Sequence, residues 1–349
     1  MNPLNIHDFG STFERIEGEV KKAFLGHDDV LRALLVAIVI RGHVLLEGVP
    51  GVGKTLLVRT LARALGCTFR RIQFTPDLMP SDVMGSTTYS EATSQFEFRP
   101  GPVFTQLLLA DEVNRAPAKT QSAMLEAMQE HAVTVDGVTH PLPEPFFVLA
   151  TQNPIESAGT YPLPEAQLDR FLFKLDIGHP PPDVEIELLR HVRAGFDAAN
   201  LDTAEVETVT GPAELDAMRR TAGTVRIVDP VLEYITELVG NSRRHSAVQV
   251  GASPRAGIAL LRAARVEAAA DGRDFVVPDD VKRNAVFVLR HRILLQPDAE
   301  IEGVTTDEVV ESVLGSTDVP GMGELEPATD ASATAPGWDE AADASRGGE

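Results

Sequence analysis

The segment Gly48-Val49-Pro50-Gly51-Val52-Gly53-Lys54-Thr55 carries the clearest chemistry in the chain. It matches G-x-x-x-x-G-K-[ST], a loop whose glycines let successive backbone N–H groups turn inward around phosphate oxygens. A short apolar run, residues 43–47, precedes it, and a helical pattern continues through Leu56. A helix N-terminus is thereby aimed at the same anion. Lys54 is placed to reach the β- and γ-phosphates of a nucleoside triphosphate, and the Thr55 hydroxyl to bind Mg²⁺. A second apolar run, Leu107-Leu108-Leu109-Ala110, ends in Asp111-Glu112. Asp111 is a candidate metal anchor through water, and Glu112 a candidate general base for the attacking water. On its own a strand ending in two acids is commonplace. After a phosphate-binding loop it points to cleavage of a phosphoanhydride.

These groups need a rigid frame, and the pattern of apolar residues supplies one. Residues 12–40 have helical spacing broken at Gly26, which predicts two helices. Runs of strand length follow at 43–47, 68–74, 107–111, 146–151 and 171–177, with helical patterns at 55–65 and 120–130. Strands alternating with helices predict a parallel five-stranded sheet covered on both faces, an α/β domain over residues 1–178. Two stretches interrupt the alternation, at about 82–100, with Phe96 and Phe98, and at 132–145. The second contains Val133-Thr134-Val135-Asp136-Gly137-Val138, an alternating pattern around an Asp-Gly turn and so a hairpin signal. Pro180, Pro181 and Pro182 mark a linker. Beyond it, helical patterns at 183–198, 213–221, 230–244, 253–270 and 278–290 predict a separate all-α domain over 183–315. Residues 316–349 are poor in large apolar residues and are predicted to be a disordered acidic tail, with Trp338 inside it.

Composition sets outer limits. The chain of 349 residues carries 52 acids against 31 bases, a net charge of −21. The tail holds −7 of this and residues 1–315 hold −14, which argues against a general coat on phosphate backbones. One cysteine, Cys67, excludes an internal disulfide and reads as a small buried residue. The longest apolar run, residues 34–40, is far short of a bilayer span, and the first ten residues show no secretory pattern. The expectation is a cytoplasmic protein without membrane insertion. His43, His131, His140 and His179 have no metal-ligand spacing.

Beyond the loop and the acids stand Asn114-Arg115-Ala116-Pro117, Leu125-Glu126-Ala127-Met128-Gln129-Glu130, Ala150-Thr151-Gln152-Asn153-Pro154 and Leu163-Pro164-Glu165-Ala166-Gln167-Leu168-Asp169-Arg170-Phe171. In this order, over about residues 12–300, the chain resembles the MoxR family of AAA+ ATPases. The resemblance implies ATP as substrate, Mg²⁺ as cofactor, a P-loop AAA+ core followed by a helical lid, and a homo-oligomeric, hexameric ring. It matches Asn153 to sensor 1, a neutral amide that can bond the γ-phosphate or the lytic water. An Asn-Pro turn is the plain alternative, and the neighbouring motifs tip the balance toward the functional role. It matches Arg170 to the arginine finger, whose planar guanidinium acts on the nucleotide of the next subunit. From spacing alone an ion pair with Asp169 or Glu165 is the plainer account, and the family match reverses that order. It matches Arg255, within Gly251-Ala252-Ser253-Pro254-Arg255, to sensor 2. A cation in a first helical turn opposes the dipole, a conflict that a nearby phosphate resolves; pairing with an acid across the domain boundary is the rival. The resemblance also places the adenine near Leu25-Gly26-His27.

The resemblance further implies a chaperone-like role in assembling, or inserting metal into, other proteins, often beside a partner with a von Willebrand factor A domain. The two insertions are the expected gripping surfaces. A second reading is a motor subunit of a chelatase-like or DNA-replication assembly, which shares these motifs; a helicase-like role would need a positively charged pore, against which the −14 of residues 1–315 argues. A third, a scaffold without turnover, is opposed by the filled catalytic positions.

Overall fold

A computed structural model describes residues 3–153 and 160–321. Contacts divide it into an α/β unit, Arg15–Pro212, and a mainly helical unit made of residues up to Glu14 together with those from Ala213 on.

In the α/β unit the elements run α1 Ile6–Lys21 (whose first residues count with the other unit), α2 Asp28–Val39, β1 Val44–Gly48, α3 Lys54–Ala64, β2 Phe69–Gln73 and α4 Pro80–Met84. There follow β3 Gly85–Ser90, β4 Gln95–Pro100, β5 Leu107–Asp111, α5 Ala118–Glu130, β6 Ala132–Val135, β7 Val138–Pro141, β8 Phe147–Gln152, α6 Glu165–Leu168, β9 Phe173–Ile177 and α7 Pro182–Arg193. Five parallel strands form one sheet in the order β2-β5-β8-β1-β9. β1, β5 and β8 are apolar and almost wholly buried, as strands covered on both faces must be. Because all five run the same way, the C-terminal ends of β1, β5 and β8 emerge side by side. That edge, where strand order reverses, is where ligands bind in open α/β sheets.

Both interruptions are hairpins. β3 pairs with β4 and β6 with β7. Asp136 and Gly137 take φ of 51° and 79°, the double left-handed turn that an Asp-Gly hairpin needs. Phe98 stacks on His140 with centroids 3.9 Å apart, so the two insertions touch. Val133 and Leu142 root the second hairpin in the core, while Tyr89 and Phe96 on the first are exposed.

The division of the chain differs from the expected one. α7 and residues up to 212 group with the α/β unit. Val184 lies against Gly26, Arg59 donates to the carbonyls of Ala198 and Ala199, and Val209 N–H donates to Ala64 O. The proline run thus breaks the chain direction without ending the unit; Pro182 starts a helix. The helical unit holds α8 Pro212–Thr224, α9 Asp229–Arg244, β10 Val248–Val250, α10 Pro254–Ala270, α11 Pro278–Leu289, β11 Leu294–Leu295, α12 Pro297–Ile301 and α13 Thr306–Ser316. The two-stranded ribbon of β10 and β11 has no counterpart in the helical pattern read from the sequence. Trp338 and residues 322–349 lie outside the described residues, as does Pro154. Cys67 is only partly buried, and burial pushes its thiol up to about 12.

His43 closes the lower end of the sheet. Val148 N–H donates to its Nδ1 at 3.1 Å, so Nε2 carries the ring proton and donates to Met128 O at 3.0 Å. That carbonyl is one of the last four of α5, which have no partner within the helix. Burial pulls His43 down to about 4 from its ordinary 6.5. The unfolded chain therefore binds a proton near pH 6.5 that the folded chain refuses until about pH 4, and stability falls as pH falls through that window. Between pH 7 and 4.5 this one ring is expected to remove about 2–3 kcal/mol. Denaturant titrations of the parent and of His43→Gln should show the slope shrinking by that amount in the variant.

Candidate nucleotide-binding and hydrolysis site

The loop from Gly48 to Lys54 joins the end of β1 to the start of α3, and its glycines serve different needs. Gly51 and Gly53 take φ of 89° and 86°, conformations that L side chains rarely adopt. A β-carbon on Gly51 would meet nothing within 4 Å, so only its backbone angle demands glycine. Gly48 is required for space: a β-carbon there would sit 2.4 Å from Ile177 Cγ2 and 2.5 Å from Ile177 O on β9. Val49, Pro50 and Val52 span the positions between. Gly53 is the N-cap of α3, and the first helical bond runs from Leu57 N–H to Gly53 O. The N–H groups of Lys54, Thr55 and Leu56 precede that bond and point out of the helix end. This cradle of amides, with no side chain at Gly51, fits a chain of phosphates.

Lys54 folds back over the loop, its Nζ donating to Gly48 O at 2.6 Å. Burial lowers its proton affinity, and the nearby carboxylates of Asp111 and Glu112 pull it back up. The structure thus gathers Lys54, Asp111 and Glu112 at one edge of the sheet. Phe24 lies 3.4 Å from a β-carbon position on Gly53, so the segment leading to Leu25, Gly26 and His27 packs beside the loop. His27 is the N-cap residue of α2, and burial lowers its pKa, with Asp29 partly opposing.

Asp111 and Glu112 are held by residues to which the sequence reading gave no role. Thr151, fully buried on β8, donates from Oγ1 to Asp111 Oδ1 at 2.6 Å and accepts from Glu112 N–H at 2.9 Å. One hydroxyl fixes both the carboxylate and the backbone that follows it. Arg71 on β2 donates to Asp111 Oδ2 at 2.7 and 3.1 Å. Gln73 Nε2 and Arg115 Nη1 both donate to Glu112 Oε2, at 2.6 and 3.0 Å. Glu112 itself has φ 57°, a left-handed conformation costly for a residue with a side chain. The signal lay in the polar pair Arg71 and Gln73, two apart on the strand that registers with Asp111.

Asp111 and Thr55 are hard oxygen donors of the kind Mg²⁺ accepts when phosphates and water complete its shell, so the residues present fit that ion. Among the described residues no group of three His, Cys, Asp or Glu could cage a metal. Asn153 follows β8 directly, between the ends of β5 and β1 in sheet order, and is buried.

Of the other expected residues, Arg170 makes no described bond to this group and Arg255 falls in the other unit. Arg170 is exposed after α6 and donates from Nη1 to Leu125 O of α5 at 3.2 Å, rather than to Asp169 or Glu165. It borders a cavity of about 360 Å³ with Ser122, Glu126, Gln129 and Gln167. Arg255 belongs to the helical unit, in the first turn of α10. Ser253 holds the N-cap position there, yet its hydroxyl makes no capping bond.

The chain matches the model of the ATPase family associated with various cellular activities (AAA) over residues 43–173 and that of the AAA lid domain over 240–313. It is 48% identical over 301 residues to the uncharacterized protein YeaC of Bacillus subtilis, covering 86% of this chain and 92% of that one. It is 43% identical over 318 residues to chaperone MoxR1 of Mycobacterium tuberculosis, covering 88% and 82%. A crystal structure of an inferred ATPase from Cytophaga hutchinsonii superposes with a TM-score of 0.83 at 41% identity, covering 90% of this chain and 97% of that one. Sheet order, phosphate loop and lid together define an AAA+ ATPase, an enzyme that hydrolyses ATP. Within that class the chain belongs to the MoxR family.

Proposed function

We propose that this protein is a Mg²⁺-dependent, ring-forming ATPase of the cytoplasm that remodels or assembles a partner protein. The observation that carries the catalytic part is the junction at Thr151, which sets Asp111 and Glu112 at the sheet edge beside the phosphate loop. In this reading the amides from Gly48 to Leu56 and the Lys54 ammonium hold the phosphates of ATP. Thr55 and Asp111 would hold Mg²⁺, which when bound draws charge off the bridging phosphate oxygens. Glu112 takes the proton of the attacking water, oriented by Gln73 and Arg115. Asn153 bonds the γ-phosphate or that water, Arg255 reports the nucleotide to the lid, and Arg170 completes the site of a neighbouring protomer. Its exposure and its anchor on a backbone carbonyl support an outward role. No described helix is long and apolar enough to cross a membrane.

The partner-directed part rests on the paired hairpins. They present the exposed rings of Tyr89 and Phe96 on a platform braced by the Phe98–His140 stack. The mycobacterial relative is named a chaperone, which supports a client role. The family resemblance points to a partner with a von Willebrand factor A domain. The test replaces the exposed rings of the first hairpin, Tyr89→Ser with Phe96→Ser, and leaves the Phe98–His140 brace and both hairpin roots in place. Basal ATPase is expected to persist while stimulation by a purified von Willebrand A-domain protein disappears. Retained stimulation would remove the hairpin from the reading.

A further inference from the structure

Gln121 is 1% exposed in the first half of α5, and its carboxamide joins two stretches of backbone distant in sequence. Its Nε2 donates to Val113 O at 3.0 Å and to Tyr161 O at 2.8 Å. Val113 opens the single 3₁₀ turn that directly follows Glu112 and carries Arg115. Tyr161 lies on the stretch leading into α6 and Arg170, and its own N–H donates to Asn114 O at 2.6 Å. One helical turn beyond Gln121, Leu125 O accepts from Arg170 Nη1. On the other side Thr120 Oγ1 ties α5 to Leu78 O at 2.7 Å.

The hydrogen bonds therefore form a closed circuit: the turn after Glu112, α5, the Arg170 stretch, and back to Asn114. A side chain needed only to fill this space could be apolar. A carboxamide with both bonds directed at carbonyls of separate segments does something else: it makes them move as one body.

We propose that Gln121 is a positioning residue that couples the two hydrolytic groups of a protomer. Glu112 serves the protomer's own nucleotide and Arg170 the neighbour's, so a displacement of the Glu112 turn on turnover is passed through Gln121 to the guanidinium at the adjoining site. The inference rests on the ring reading above, and the test separates the two.

The experiment compares four full-length proteins: parent, Gln121→Met, Arg170→Ala and the double variant. Methionine keeps the length and removes both donors. Its kcat is expected to fall tenfold to a hundredfold, while KM for ATP and the Kd for ADP stay within about twofold, because the phosphate loop lies outside the circuit. In the Arg170→Ala background the same change is expected to add little. An unchanged kcat in Gln121→Met, a loss confined to KM, or effects that multiply in the double variant would overturn the coupling with the ring reading intact. A full-rate Arg170→Ala protein would instead overturn the ring reading, and the coupling with it. Gln121→Glu, which sets a carboxylate against both carbonyls, is expected to be at least as slow as Gln121→Met; a fast one counts against the proposal. If Gln121→Met yields no folded chain, Gln121→Asn, a methylene short of both carbonyls, takes its place under the same criteria.

Discussion

Replacing Glu112 by Gln is expected to slow ATP turnover by roughly 10²–10⁴-fold while ATP stays bound. Glutamine keeps the shape and can still meet the Arg115 guanidinium through its carbonyl, so the 3₁₀ turn and the Thr151 bond to the Glu112 backbone should persist. What disappears is the acceptor for the proton of the attacking water. The phosphate loop is untouched, so affinity for ATP should be retained and the triphosphate should accumulate on the protein. Single-turnover assays with radiolabelled ATP, read beside equilibrium binding, separate these quantities. Near-parental turnover in the variant would remove Glu112 as the base.

Arg170→Ala carries the second large effect. A finger that neutralises charge on the transferring phosphoryl group is worth about 10³–10⁵ in kcat. The Arg170 guanidinium makes its recorded bond to Leu125 O, and no described bond links it to Lys54, Asp111 or Glu112. In the ring reading proposed above, a loss of this size is exerted on another protomer. Mixing gives the signature: Arg170→Ala combined with a Lys54→Ala chain, each nearly silent alone, should recover activity at interfaces where an intact finger meets an intact loop. Failure of every mixing ratio to recover activity, with mixed assembly verified, would place the effect within one chain.

Much of this was legible in the residues themselves. The loop from Gly48 to Thr55 announces itself as a candidate phosphate loop because phosphate binding needs glycine backbone and a lysine at fixed spacing, and β5 is apolar up to Asp111 and the candidate base after it. The Asp-Gly hairpin was equally plain. The supports of the site were not, because they are long-range: Thr151 reaches across from β8, while Arg71 and Gln73 reach from β2, and only strand order makes them neighbours. Nor does spacing show that Gly48 is glycine for lack of room beside Ile177. The end of the first unit was misread for a related reason. A proline run signals a change of chain direction, but whether the next helix returns to the same body depends on contacts such as Val184 with Gly26.

The ring stack between Phe98 and His140 has an evolutionary corollary. Two insertions far apart along the chain lean on each other, so neither can drift freely. Transplanting one of them from a relative should misfit unless its companion travels with it; in the client-gripping reading proposed above, specificity would be inherited as a matched pair.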